Sequence, residues 1–192
     1  MENYWKFLVK IYFSNIDLIF PTSDEQTPSV QVFNRERDMF QEAVTNEIQN
    51  SSKLKTLSTL KDNFACEDYL LSVPNVANRT ALTKFRLSNH NLMIEKGRYE
   101  NMQLCDRSCP FCPDQVESEF HFLIKCPVYT ELRRKLLDDV RTVVLGFYYP
   151  QDEHFLFWFL LKNPLIANTT GNFIRLSMEL RAFLLEDPRN NW

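Results

Sequence analysis

Four side chains stand out by type and spacing: Cys109 and Cys112, parted by Pro110 and Phe111, then His121, then Cys126. The pattern is Cys-x2-Cys-x8-His-x4-Cys. A two-residue spacer lets two thiolates close on one ion in a tight turn, and a later His/Cys pair supplies the other corners of a tetrahedron. Soft thiolates and an imidazole suit Zn²⁺, whereas hard cations want oxygen ligands. Four protein ligands leave no open position for water, so the spacing predicts one structural Zn²⁺ and no catalytic metal. Small zinc modules bind the ion with about 10–16 kcal/mol, comparable to a domain's stability, so residues 107–125 are expected to order only with metal. Two other readings of these residues stay open: Cys105 in place of His121, giving four thiolates, or four buried side chains with no ion.

Other catalytic patterns fail. Asp138 and Asp139 are adjacent on an expected helix and point in different directions, so they form no carboxylate pair. No Gly-x-Ser-x-Gly or His-Glu-x-x-His occurs, and Gly97, Gly146 and Gly171 stand too far apart to build a phosphate-binding loop or a dinucleotide fingerprint. Glu117 and Glu119, beside the ligands, are expected on the surface. His90 and His154 are expected at surface or helix-end positions. The chain is therefore read as a non-enzyme.

The elements that must position the four ligands follow from composition and periodicity. With 192 residues, 44% hydrophobic and 16 Phe, the chain can bury a core. Helical spacing predicts a first helix from Asn34 as N-cap through Met39, Phe40, Ala43, Val44 and Ile48, after a Pro21–Ser29 linker. Shorter helices follow over 54–60 and 66–72, then one from Asn78 with Leu82, Phe85 and Leu87 inward and Arg79, Lys84 and Arg86 on other faces. Leu92, Met93 and Ile94 continue that register to a stop at Gly97. Pro127 opens the next helix, with Leu132, Leu136, Val140 and Val143 inward and a stop at Gly146. The apolar run Phe155–Leu161 breaks at Asn163-Pro164, and a last helix spans 173–185. The fold class is mostly α: a helical domain with an inserted Cys-Cys-His-Cys zinc knuckle. It divides into an aromatic N-terminal segment and linker (1–29), a helical region (30–104), the knuckle (105–129) and C-terminal helices (130–192).

The net charge of −3 is uneven: residues 79–135 carry ten basic and seven acidic side chains. This cationic middle coincides with the knuckle, so Lys84, Arg86, Arg98, Arg107, Lys125, Arg133 and Arg134 are the candidates for contact with nucleic-acid phosphates. Phe111, Phe120, Phe122 and Tyr129 could stack on bases, although Phe120 and Phe122 flank a ligand and fit better as anchors of the knuckle on the helices. No apolar stretch is long enough for a membrane helix, since Lys6, Lys10, Asn15 and Asp17 interrupt the N-terminus, and no secretory signal opens the chain. The chain thus reads as soluble and intracellular. Its five cysteines fit reduced thiols or ligands better than disulfides, and the sequons at Asn50, Asn78 and Asn168 carry little weight.

The stretches Arg79-Thr-Ala-Leu-Thr-Lys-Phe-Arg-Leu-Ser-Asn-His90, Glu95-Lys-Gly-Arg98-Tyr99, Cys109-Pro-Phe-Cys112 and Val116-Glu-Ser-Glu-Phe-His-Phe-Leu-Ile-Lys-Cys-Pro-Val-Tyr129 together resemble the C-terminal region of LINE-type, non-LTR retrotransposon reverse transcriptases. The resemblance is clear over residues 79–135 and vaguer elsewhere. It implies a helical region after a polymerase domain, with a zinc knuckle ligated by Cys109, Cys112, His121 and Cys126 and a role in handling RNA or target DNA, in the nucleus or cytoplasm. The polymerase's aromatic-Ala-Asp-Asp motif is missing, because Leu137 precedes the Asp138-Asp139 pair, so the resemblance implies a non-catalytic tail. The alternatives are a zinc-stapled protein-interaction domain, meeting a partner through Phe155–Leu161, or a transposon relic without a selected role.

Overall fold

The computed structural model describes residues 28–61 and 66–185. The aromatic N-terminal segment and most of the expected linker lie outside the described residues. The chain divides into two compact units between Glu67 and Asp68. In the first, α1 spans Pro28–Asn50 and α2 spans Lys55–Leu60. The first helix thus starts six residues before Asn34, which lies inside it and is not its cap. Pro28 explains the shift, since at a first helical position proline has no N–H to lose and its φ is already helical. Val44, Ile48, Leu54, Leu57 and Leu60 are buried, while Met39 is exposed.

The second unit carries α3 (Asp68–Ser72), α4 (Val76–Arg86), α5 (Met93–Tyr99), the hairpin β1 (Ser108–Cys109) and β2 (Cys112–Val116), α6 (Thr130–Val143), α7 (Glu153–Lys162) and α8 (Ala167–Leu184). Short 3-10 turns occupy Leu104–Asp106, Pro127–Tyr129 and Pro164–Ile166, and a π turn spans His121–Lys125. The hairpin is the only sheet among the described residues. The fold is mostly helical, and none of the described helices is long and apolar enough to cross a membrane.

Two crossings hold this unit together. Asn75 caps α4 by accepting from the Asn78 N–H (3.1 Å), and the Asn78 amide donates to the Asn168 carbonyl oxygen (3.1 Å) and accepts from Arg175 Nε (3.1 Å) on α8. Gly171 lets α8 lie directly on this backbone: a Cβ there would stand 2.3 Å from the Asn78 carbonyl oxygen. The second crossing is aromatic. Phe122, fully buried, meets Phe85 (5.6 Å between centroids), Tyr129 (4.7 Å) and Phe173 (6.2 Å), so a residue following a candidate ligand is core to α4 and α8.

Several expected boundaries shift. Gly97 does not stop a helix; it lies buried inside α5, where the absent side chain leaves room for the Arg107 stem. The last helix begins at Ala167, because the close approach at Gly171 outweighs the weak helix propensity of Asn168-Thr-Thr-Gly-Asn172. In the run Phe155–Leu161, Leu156, Phe157, Leu160 and Leu161 are buried, leaving Phe155 exposed and Trp158 and Phe159 half-buried. That run is chiefly core and only partly an outward face. Sequons at Asn78 and Asn168 are structural too: Asn78 is buried, and so is Thr170.

Gly171→Ala is expected to cost about 1–3 kcal/mol, because the neighbour that must yield is backbone and not a flexible side chain. Urea denaturation should show a lowered midpoint with an unchanged slope; an unchanged midpoint would mean that α4 and α8 can separate at no cost.

Candidate metal centre

Two local structures bring the ligands together. The first is the hairpin, in which Cys109 and Cys112 are register partners across the Pro110-Phe111 turn. Backbone N–H groups then turn toward sulfur: Phe111 N–H bonds the Cys109 thiol, and Val128 N–H bonds the Cys126 thiol. The second is the π turn. Ser118 starts it, its hydroxyl accepting from His121 N–H (3.1 Å) while its carbonyl accepts from Phe122 N–H (2.9 Å). Cys126 N–H closes on the His121 carbonyl (2.7 Å), an i→i+5 bond. At 3.6 residues per turn, positions five apart would face about 140° away from each other; the wider π turn brings His121 and Cys126 to one side.

The ligand atoms of Cys109, Cys112, His121 and Cys126 all lie within 4.8 Å of one another. Cys126 Sγ is 4.0 Å from both Cys109 Sγ and Cys112 Sγ. Zn–S bonds of about 2.3 Å in a tetrahedron place two sulfurs about 3.8 Å apart, so the sulfurs already stand near metal-bound separation. His121 Nε2 is buried with no hydrogen-bond partner, as an imidazole awaiting an electrophile would be. Cys105 is exposed, its thiol beside the Asp106 carboxylate, and lies outside the cluster. The donor set is thus three cysteines and a histidine, and it could hold a metal ion.

The thiols are unequal. The Cys126 thiol donates to Cys109, which with the Phe111 N–H and nearby His121 outweighs burial and lowers the Cys109 pKa to about 5. Cys126 moves strongly upward for the same reason, since it carries the shared proton. Burial and then the Cys109 charge push Cys112 up. One thiolate therefore exists at neutral pH, and two more protons must leave before three thiolates can bind a cation.

The surroundings differ from the sequence expectation at two acids. Glu117 is 1% exposed, not a surface residue, and takes both Arg181 Nε (2.7 Å) and Nη2 (2.9 Å) from α8 and the Met93 N–H (2.7 Å) from the start of α5. Glu119 faces inward as well, accepting from Ser88 Oγ (3.0 Å) and bonding His90 Nε2 (3.1 Å). The His90 bond leads the influences that hold the Glu119 carboxyl below its usual range against burial. His90 is accordingly buried, and His154 is exposed but stacked on Phe120 (4.3 Å).

The seven candidate phosphate contacts divide sharply. Arg86 is 3% exposed and lies over the Tyr69 ring (4.7 Å), so the expectation that it faces outward is corrected. Arg107 folds back on carbonyls of Met102 (3.2 and 2.9 Å) and Ile94 (2.9 Å), and Arg133 on carbonyls of Leu123, Cys126 and Phe122. Burial lowers the Arg133 pKa. Arg98 pairs with Glu95 (2.9 Å), Arg134 with Glu131 (3.1 Å) and Asp138 (3.4 Å), and Lys125 with Glu153. Lys84 is half-buried on α4. Among the candidate stacking rings, Phe122 and Tyr129 are core and Phe120 lies between His154 and Phe157; Phe111 is half-exposed.

Neither a protein-family model, nor a curated protein, nor a solved structure matches the chain.

Glu117→Gln keeps the shape of the side chain but leaves the Arg181 charge buried without a counter-charge. It is expected to destabilise the second unit by about 3–5 kcal/mol, and adding Arg181→Met should recover most of that loss. Guanidinium chloride midpoints of the single and double variants measure both effects; additive losses would show that the two groups do not depend on each other.

Proposed function

We propose that this chain is a non-catalytic helical module stapled by one structural Zn²⁺, of the kind that follows the polymerase domain in non-LTR retrotransposon reverse transcriptases. The convergence of Cys109, Cys112, His121 and Cys126 within 4.8 Å, with sulfurs near tetrahedral spacing, carries the zinc part of the proposal. Bound there, Zn²⁺ would supply cross-linking between hairpin and π turn, and four protein ligands would leave no site for an attacking water. Kinship is supported by the stretch from Glu117 to Phe122, whose members form the motif that suggested it.

The module's work would then be contact with another macromolecule. Contact with RNA or DNA would fall to Lys84, Arg98, Lys125 and Arg134, the candidates that remain once the buried Arg86 and the carbonyl-bound Arg107 and Arg133 are set aside. Surface ion pairs of about 0–1 kcal/mol exchange readily for phosphates, so the carboxylate partners of Arg98, Lys125 and Arg134 do not bar this. One observation favours protein contact as the second reading: Phe147, Phe159 and Phe155 form a near-parallel ladder (5.4 and 6.1 Å), beside the exposed Leu145 and Tyr148.

Purified protein is expected to carry one equivalent of zinc, lost together with much of its helical circular dichroism in Cys112→Ser and His121→Ala. A well-folded, metal-free protein would sink the proposal. Titration with single- and double-stranded nucleic acid at two salt concentrations separates the two readings: phosphate contact through about four cations predicts a log–log salt slope near −3 to −4, and protein contact predicts no salt-dependent binding.

The unequal thiols set a pH dependence. Because Cys109 is already ionised and Cys112 and Cys126 are raised, zinc must displace about two protons at neutral pH. Zinc affinity should rise about a hundredfold from pH 7 to pH 8, read by chelator competition. A pH-independent affinity would show that binding displaces no thiol proton and overturn this ordering of the thiols.

A further inference from the structure

We propose that Arg133 is the positioning residue of the metal centre, the group that holds His121 and Cys126 at chelating geometry. The inference rests on the metal reading above. Arg133 lies at the start of α6, seven residues after Cys126, and that helix is anchored by the buried Leu136 and Val140. From there its guanidinium reaches back over the π turn. Nε donates to the Leu123 carbonyl (2.8 Å), and Nη2 donates to the carbonyls of Cys126 (2.8 Å) and Phe122 (3.4 Å).

The wider turn strands the Phe122 carbonyl, whose partner five residues on is Pro127, which has no N–H; the Leu123 carbonyl lacks a partner four residues on for the same reason, and the Cys126 carbonyl also accepts from Tyr129 N–H (3.3 Å). An α-helical continuation would pair the Phe122 carbonyl with the Cys126 N–H, but it would also rotate His121 and Cys126 to different faces. The two backbone arrangements therefore compete, and only the wider one makes a chelate. Arg133 favours the wider turn by supplying the donors that the turn lacks. The planar fork matters, since two adjacent N–H vectors meet two carbonyls together, a geometry that a lysine ammonium on a flexible stem does not preset.

Charge adds to geometry. Three thiolates around one Zn²⁺ leave the centre at −1, and the guanidinium sits beside the Cys126 end of the turn where that excess would lie. A cation already bonded to the ligand's own carbonyl offsets it without moving. The sequence hid this role, because Arg133 heads the run Arg133-Arg134-Lys135, which reads as an outward basic face. Only Arg134 and Lys135 are exposed; Arg133 is turned under.

The test compares Arg133→Gln, Arg133→Lys and Leu136→Ala in the full chain with wild type. Leu136→Ala loosens the same helix and removes no hydrogen bond to the π turn. Zinc affinity is read by chelator competition and ligand geometry by the visible absorption of Co²⁺-saturated protein. Arg133→Gln is expected to weaken zinc binding about 10–100-fold and to shift or weaken the tetrahedral cobalt bands even at saturation. Arg133→Lys should recover part of both, and Leu136→Ala should leave the saturated spectrum at wild type whatever it does to affinity. A wild-type cobalt spectrum in saturated Arg133→Gln, with zinc affinity no lower than that of Leu136→Ala, overturns the inference while leaving the metal reading intact. Should Arg133→Gln fail to fold, Arg133→Lys decides alone: wild-type bands and affinity overturn the inference, and a shifted spectrum supports it. Wild-type protein that takes up neither Co²⁺ nor Zn²⁺ overturns the metal reading and this inference together.

Discussion

The buried Glu117–Arg181 ion pair is the constraint that the second unit is arranged around. Two charges taken out of water lose several kcal/mol of hydration each, which mutual attraction offsets only when the geometry is good and the remaining lone pairs are filled. Both conditions hold here. The guanidinium meets the carboxylate through two nitrogens, and a third bond comes from the Met93 N–H. The backbone of Glu117 is fixed as well, its N–H on the Arg107 carbonyl (2.9 Å) and its carbonyl on the Ile94 N–H (3.1 Å). One residue thus joins the end of the hairpin, the start of α5 and the last turns of α8. An apolar residue could fill the same volume, but it would accept neither α8 in this register nor α5 at this end.

The candidate metal centre hangs from that junction. Cys112 and Glu117 lie five residues apart along β2 and its exit, so the position of the knuckle relative to the helices follows from where the carboxylate is locked. The π turn on the other side is fixed by the Phe122 packing with Phe85, Tyr129 and Phe173. Neither half suffices alone. A two-residue strand paired over a tight turn is too small to persist in water, and a single π turn is a poor backbone well. Each is stabilised by its attachment to the helices, and an ion shared between them would close the remaining freedom. A proton shared between Cys126 and Cys109 sets one thiol low and its neighbour high.

How much of this was legible in the sequence depends on the kind of residue. The convergence of Cys109, Cys112, His121 and Cys126 was legible, because coordination requires specific atoms at specific spacings and few other uses need three cysteines and a histidine so arranged. Helices with a clear apolar face were legible to within a few residues: Leu82, Phe85 and Leu87 are buried as their periodicity predicts. The cations and acids were not. A sequence shows that Arg107, Arg133 and Glu117 are charged, but whether each meets water or a buried partner depends on which carbonyls, N–H groups and counter-charges the tertiary fold brings to it. Those carbonyls appear at the departures from α-helical geometry: the π turn after Phe120, and the 3-10 and hairpin segment after Tyr99. Neither departure has a propensity signal. The early start of α8 was hidden for a related reason, since Gly171 weakens a helix in isolation and is required once Asn78 lies against it.

The destination of the charged residues also changes what the motif means. In the stretch from Glu117 to Phe122, Glu117 holds α8, Ser118 starts the π turn, Glu119 holds His90 and Ser88, His121 belongs to the ligand set and Phe122 fills the core. Its side chains are therefore committed to making the fold, with little left to face a ligand. A local excess of basic residues would normally argue for a polyanion partner, but here three of the seven candidates donate to backbone carbonyls or lie buried, and three more are matched by carboxylates. Positive charge counted along a sequence overstates the field at a surface whenever arginines serve as internal braces. Among the described residues, the Phe147, Phe159 and Phe155 ladder with its exposed neighbours is not consumed in this way, and recognition built on aromatic area there would depend little on the net charge that the sequence displays.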